Sequence, residues 1–246
     1  MATGADVATK VLDGLRRSAT FAPNTNEYHA FLLQLINAAM NETQEAWDWH
    51  ALRKTATITG SAGTAAYDVD SGGAADIDLG PDARLMWEKR LGGAYADATE
   101  TSVYVAGAQP QFFDTTDTQE FRLDYVSPET MERLHIMDDD DQQKPTKFTY
   151  YSDADDLIVK VWPTPSSVRT WKARFIDPQA DMAKTDTFAS VTMQVPIRPI
   201  WMRALAWAYL DRGEDNPAFT MESADYALQS AIARERSMDD DTGYPV

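Results

Sequence analysis

With 246 residues, 43% of them hydrophobic and 25% charged, the chain is long enough for one large domain or two modest ones. Its formal charge of −17 at pH 7 has the wrong sign for a surface that grips DNA, the lack of cysteine removes disulfides and thiolate chemistry, and the further lack of histidine clusters removes structural zinc. No apolar run reaches membrane-spanning length, residues 1–20 lack the core of a secretory signal, and a reducing compartment at synthesis is the expectation.

The charge is unevenly placed along the sequence. Residues 1–54 carry five basic and six acidic groups, residues 55–197 twelve and twenty-four, and residues 198–237 five and six. Residues 238–246 add three aspartates. Counted this way, the acidity belongs to the middle segment and the tail. An acidic surface repels phosphate and resists sticking to it, although solubility alone accounts for it equally well.

Residues 5–18 are expected to form a first short helix, with Val7, Val11, Leu12 and Leu15 on one side. Phe21 to Asn26 reads as a turn. Asn24, Thr25 and Asn26 supply cap oxygens behind Pro23. Phe31, Leu32, Leu35, Ile36, Ala39, Met40, Thr43 and Trp47 then recur at the spacing of one helical face. Asn37, Asn41, Glu42 and Glu45 take the opposite side. Trp47-Asp48-Trp49 closes this long helix, and the two rings read as a structural corner where helix gives way to sheet.

From Thr55 the pattern changes to alternation. Thr55–Thr59 is one strand, Gly60-Ser61-Ala62-Gly63 a turn, and Ala65, Tyr67 and Val69 alternate again before Ser71-Gly72-Gly73. Ala83–Arg90, Thr101–Ala106 and Gln119–Tyr125 are further strand candidates. Ser127 as cap and Pro128 at the first helical position start a short helix over 128–137. Lys147–Tyr151, Leu157–Trp162 and Arg169–Ile176 follow as strands. In the last, Trp171, Ala173 and Phe175 alternate with Lys172 and Arg174, so one face is buried and one wet. The segment reads as an antiparallel meander joined by short turns.

Helix returns near Pro196. Ile197, Ile200, Trp201, Ala204, Leu205 and Ala208 make one stripe, with Trp207 and Leu210 off it. A helix so apolar around its girth is buried on two sides, by its own fold or by a neighbouring subunit. Arg212-Gly213 stops it. Thr220 starts a last helix carrying Tyr226, Ala227, Ala231 and Ile232, and an acidic flexible tail follows from Met238. The fold class is therefore α+β. A helical bundle from residues 1–54 and 196–237 carries an inserted antiparallel β domain at 55–195, and 238–246 is the tail.

No residue pattern announces a chemistry. His29, His50 and His135 are scattered, and the chain contains no nucleophile elbow, phosphate-binding loop or dinucleotide fingerprint. Asp138, Asp139, Asp140 and Asp141, and again Asp153, Asp155 and Asp156, are oxygen-rich, but neither run fits a twelve-position calcium loop. Carboxylate pairs for glycoside hydrolysis are available in any acidic β protein, and nothing singles one out. No catalytic residue, cofactor or metal is assigned, and the chain is not expected to be an enzyme.

Helices ending in Ala46-Trp47-Asp48-Trp49 precede a β insertion. Leu157–Trp162 then meets Pro163-Thr164-Pro165 and a further strand, and an Arg198-Pro199-Ile200-Trp201 helix leads into a last one. In this element order and these local patterns the chain resembles the head-to-tail adaptor (connector, or tail accessory) proteins of tailed bacteriophages. The resemblance implies a homo-oligomeric ring, expected as a dodecamer. It would be assembled in the host cytoplasm and held in the virion neck between portal protein and tail or nozzle protein, with DNA passing through its lumen without specific binding. No membrane partner is implied. On this reading Ile200, Trp201, Leu205, Trp207 and Leu210 are subunit-interface candidates. Arg234, Arg236, Met238 and Tyr244 are portal-contact candidates, and the seven aspartates named above are acidic-lumen candidates. The competing reading is a glycan-binding or glycan-active tail component, with Tyr67, Tyr104, Phe112 and Phe113 exposed as a sugar platform.

Overall fold

The structure is a computed structural model, and it describes residues 2–17, 20–69, 83–85, 87–88, 109–110, 112–117, 121–137, 142–153, 156–213 and 217–241. The helices are α1 (Gly4–Gly14), α2 (Glu27–Glu45), α3 (Pro128–Met137), α4 (Ile197–Arg212) and α5 (Pro217–Asp241). The longer strands are β1 (Arg53–Gly60), β9 (Lys147–Asp153), β10 (Asp156–Trp162) and β11 (Arg169–Ile176). Between β1 and β9 lie the short strands β2 (Ala66–Asp68), β3 (Arg84–Leu85), β4 (Trp87–Glu88), β5 (Gln109–Pro110), β6 (Phe112–Asp114), β7 (Phe121–Arg122) and β8 (Asp124–Tyr125). The fold class is α+β. The expected strand over Thr101–Ala106 lies outside the described residues.

The chain divides into two units, one made of Met1–Ala51 with Gln179–Val246 and the other of Leu52–Pro178. In the helical unit α4 is the central element and packs against α1, α2 and α5. Its buried Pro199, Ile200, Ala204, Leu205, Ala206 and Ala208 are therefore covered by the chain's own helices. The close approach to α1 depends on Gly14. A Cβ there would sit 2.5 Å from Leu205 Cδ2, and the Tyr209 hydroxyl donates to the Gly14 carbonyl at 2.7 Å. Thr3 caps α1 in a reciprocal box with Asp6, and Asn26 caps α2 by accepting from the Tyr28 and His29 amides.

The boundary between the units falls at Pro178, earlier than the expected 195, and the reason is a row of amide side chains on α2. Asn37 donates to the Met182 carbonyl at 3.0 Å and accepts from the Met182 amide at 3.1 Å. Gln44 does the same for Gln179, donating to its carbonyl at 3.2 Å and accepting from its amide. Asn41 donates to the Asp181 carboxylate at 2.9 Å. Asn37 and Asn41, which periodicity put on the polar side of α2, and Gln44 beside them grip the returning chain much as a strand would. Gln179 in turn donates to the Thr192 carbonyl and accepts from the Gln194 amide. The same stretch pairs with the N-terminus, where Gly4 N donates to Val191 O and Met193 N donates to Ala2 O, both at 2.9 Å.

The last helix starts at Pro217, ahead of the expected Thr220, and continues through Asp241, into the segment expected as tail. Residues 242–246 lie outside the described residues.

In the β unit the described strands form two larger sheets, ordered β1-β11-β6-β7, with β3 also on β11, and β2-β10-β9-β8, and β4 pairs with β5 in a small third one. The expected meander holds for the β9–β10 hairpin, whose register runs from Trp162↔Lys147 to Asp156↔Asp153. It fails for β10 and β11, which lie in different sheets. Pro163 and Pro165 have no N–H to close a ladder. The connector's carbonyls are taken by other loops, Pro165 O accepting from Gly63 N at 2.8 Å and Thr164 O from Gln143 N at 3.0 Å. β11 pairs with β1 instead, from Arg53↔Ile176 to Gly60↔Arg169. β8 and β9 run parallel.

Both larger sheets contribute to one core. Ala56, Ile58, Phe112, Trp171, Ala173 and Phe175 come from the first, and Tyr67, Phe148, Leu157, Val159 and Val161 from the second. Phe112 stacks on Phe148 with ring centroids 4.3 Å apart, and Tyr67 lies 5.1 Å from Trp171. Burial pushes the Tyr67 phenol up to about 12, and its hydroxyl donates to the Ser61 carbonyl at 3.1 Å. Gly60 allows the Trp171 ring to lie against the backbone, since a Cβ would meet it at 2.2 Å.

The unit boundary changes the reading of the charge. Leu52–Pro178 carries thirteen basic and twenty-two acidic residues, net −9, and the helical unit nine and seventeen, net −8. Acidity is therefore shared between the units. Among the described residues no helix is long and apolar enough to cross a membrane.

Candidate interaction surfaces

Trp49 is fully enclosed, and its Nε1 donates to the Thr43 carbonyl at 2.7 Å. Trp47 is half-buried with the Arg236 guanidinium stacked 4.7 Å from its ring centroid. One residue away, the Glu235 carboxylate accepts from the His50 amide at 2.6 Å. The turn after α2 is thus clamped by α5, and the partners of both tryptophan contacts belong to the helical unit. Arg236, a portal-contact candidate, is engaged inside its own chain. Arg234 is exposed, Met238 lies within α5, and Tyr244 lies outside the described residues.

The subunit-interface candidates separate by burial. Ile200 and Leu205 are core residues of the helical unit and unavailable to a neighbour. Trp201 and Trp207 are partly buried, with Lys10 Nζ 6.0 Å from the Trp201 ring centroid, and Leu210 is 53% exposed. Helical spacing alone cannot distinguish a helix covered by its own fold from one covered by a second subunit.

Asp138, Asp139, Asp140, Asp141 and Asp155 lie outside the described residues. Asp153 and Asp156 are backbone register partners at the end of the β9–β10 ladder. Among the described residues there is no group of three or more His, Asp or Glu side chains placed to hold a metal ion.

The sugar platform does not assemble as expected. Tyr67 and Phe112 are buried in the shared core, Phe113 is partly exposed under the Arg122 guanidinium, and Tyr104 lies outside the described residues. β6 alternates, so Phe112 points inward and Phe113 outward. Two adjacent aromatics on a strand cannot form one flat face.

Two surface features escaped sequence reasoning. The first is the apolar end of α3, where Ile136 is 82% and Met137 84% exposed. The buried Met131 fixes the inward face, and positions five and six residues later rotate away from it, a signal that the helical period contains. The second is an ion-pair network at one end of the β unit. The fully buried Asp114 carboxylate accepts from the Thr116 amide at 3.0 Å and pairs with Arg169 at 3.4 Å. Arg169 also reaches Asp117 at 3.0 Å, and Lys144 reaches Asp117 at 2.9 Å. Hydrogen bonds from Lys144 and then Arg169 hold the Asp117 carboxyl below its ordinary range. Lys144 also lies 5.2 Å from the ring centroid of the exposed Phe121. Asp114 and Asp117 are near neighbours, but Lys144 and Arg169 reach them from distant parts of the sequence, and no local pattern marks the set.

Compared with known protein families and with curated proteins, the chain matches none.

Proposed function

We propose that this chain is a structural, non-enzymatic head-to-tail adaptor of a tailed bacteriophage, forming a ring in the virion neck between portal and tail through which DNA passes. The observation that carries the reading is the element order. A helix pair ending in Trp47-Asp48-Trp49 and a helix pair beginning near Arg198-Pro199-Ile200-Trp201 make one unit, and residues 52–178 are inserted into it as a β unit. The charge supports it as well. Both units are acidic, so DNA moving past either one meets repulsion and no sequence-independent grip.

Ring contacts on this reading use side chains the fold leaves outside, such as Leu210 and Tyr226 in the helical unit. Ile200 and Leu205 have no part in them. The test mixes the purified chain with its proposed partner, a portal protein, and reads mass by light scattering and shape by negative stain. A ring on the portal is the expected result. A chain that stays monomeric beside an intact portal overturns the proposal.

A further inference from the structure

Among the described residues, the connector between α1 and α2 is fastened to the start of α2 by a titratable side chain, His29. Arg16 leaves α1 in the left-handed region, with φ 54°, and the Arg17 guanidinium lies 4.7 Å from the Tyr28 ring centroid. Phe21 then lies flat on the His29 imidazole, with centroids 5.1 Å apart and planes 10° apart. Its other contact is edge-on to Phe188, at 5.2 Å. The Ala22 amide donates to His29 Nδ1 at 3.0 Å, and Ala22 O accepts from Thr25 N and Asn26 N. His29 itself is only 4% exposed.

The hydrogen bond fixes the tautomer. Because Nδ1 accepts, the neutral ring carries its proton on Nε2. A second proton has to go to Nδ1, where it faces the Ala22 N–H. Two donors then oppose each other, and the bond is lost. The new charge is also placed on a ring that is buried from water, and the charged group that acts on it is Arg17, of the same sign.

We infer that His29 is a pH-sensitive latch, and that its protonation releases the Phe21–Ala22 segment from the start of α2 while the β unit stays folded. Burial, with a smaller contribution from Arg17, holds His29 below the ordinary histidine range in the latched form. Released, it returns toward the free value of about 6.5. Opening is therefore rare above that pH and grows as pH falls below it. If the latched ring does not titrate before pH 5, the opening equilibrium rises by up to about thirtyfold between pH 7.5 and 5.

The test uses the full chain and two measurements. Amide exchange at Ala22, corrected for its intrinsic pH dependence, is compared with exchange at Phe148 and Val159 in the β unit, and the His29 ring is titrated by NMR. In the wild type, Ala22 protection is expected to fall steeply below pH 6.5 while Phe148 and Val159 keep theirs. The His29 shifts are expected to follow the same curve. In His29→Asn the side-chain oxygen takes the place of Nδ1 and does not titrate, so Ala22 protection is expected to be flat with pH. Three results overturn the latch. They are unchanged Ala22 protection in the wild type, a loss shared equally with Phe148 and Val159, and a His29 titration with no change at Ala22.

Discussion

Phe112→Ala separates a core role from a surface one. The Phe112 side chain is 0% exposed and stacks on Phe148 across the shared core at 4.3 Å. Removing a buried phenylalanine costs about 3–5 kcal/mol, of which the ring pair accounts for roughly 1 kcal/mol. A value near 4 kcal/mol is a large part of the roughly 5–15 kcal/mol that holds a domain. With a urea dependence of about 2 kcal/mol per molar, the unfolding midpoint of the β unit is expected to drop by about 2 M. The assay is urea unfolding followed by near-ultraviolet circular dichroism, with the two units allowed separate transitions. Phe113→Ala is the internal control, because its ring points out of the sheet, and its cost is expected to stay below about 1 kcal/mol. A Phe112→Ala midpoint within error of wild type, at unchanged slope, would falsify the shared core and return Phe112 to the surface.

Gln44→Ala is expected to cost about 1–3 kcal/mol, since it leaves the Gln179 amide and carbonyl without the partner that satisfies both. Gln44→Glu should recover little, because it keeps the acceptor and loses the donor. Chemical unfolding of the helical unit reads both, and a neutral Gln44→Ala would show the amide row to be incidental. For Asp117 the folded carboxyl titrates below its ordinary value of 3.8, so its contribution is present above that value and is lost as pH falls through the folded one. The melting difference between wild type and Asp117→Asn is therefore expected at pH 7 and should shrink away in acid below that ordinary value. A difference that persists there would mean the carboxylate's charge is not what acts.

Much of the secondary structure was legible because it rests on local rules. The Asn26 cap, the Pro128 start and the Gly213 stop all rest on their own side chains or backbone freedom. Strand partnership was not legible. β1 and β11 are separated by more than a hundred residues, and only the shared core selects them for each other. The polar face of α2 was misread for a related reason. Asn37 and Asn41 look solvated by period, yet their partners, like that of Gln44, arrive from residues 179–182, which no local window includes. The same blindness applied to α4. A wide apolar girth is equally consistent with burial in one chain or between two, and three of the chain's own helices cover it.

The β unit begins and ends at neighbouring backbone, where the Asp177 amide donates to the Leu52 carbonyl at 2.9 Å. This has a consequence for synthesis. A ribosome delivers α1 and α2 first, but α4, the helix they pack on, starts only at Ile197. The β unit is complete at Pro178, before α4 has been made. In vectorial folding at about 5–20 residues per second, the nascent helices wait roughly ten seconds or more with their apolar faces uncovered. The insertion has all of its strands before the helical unit has its central helix, so α1 and α2 are made ahead of it and packed on α4 after it.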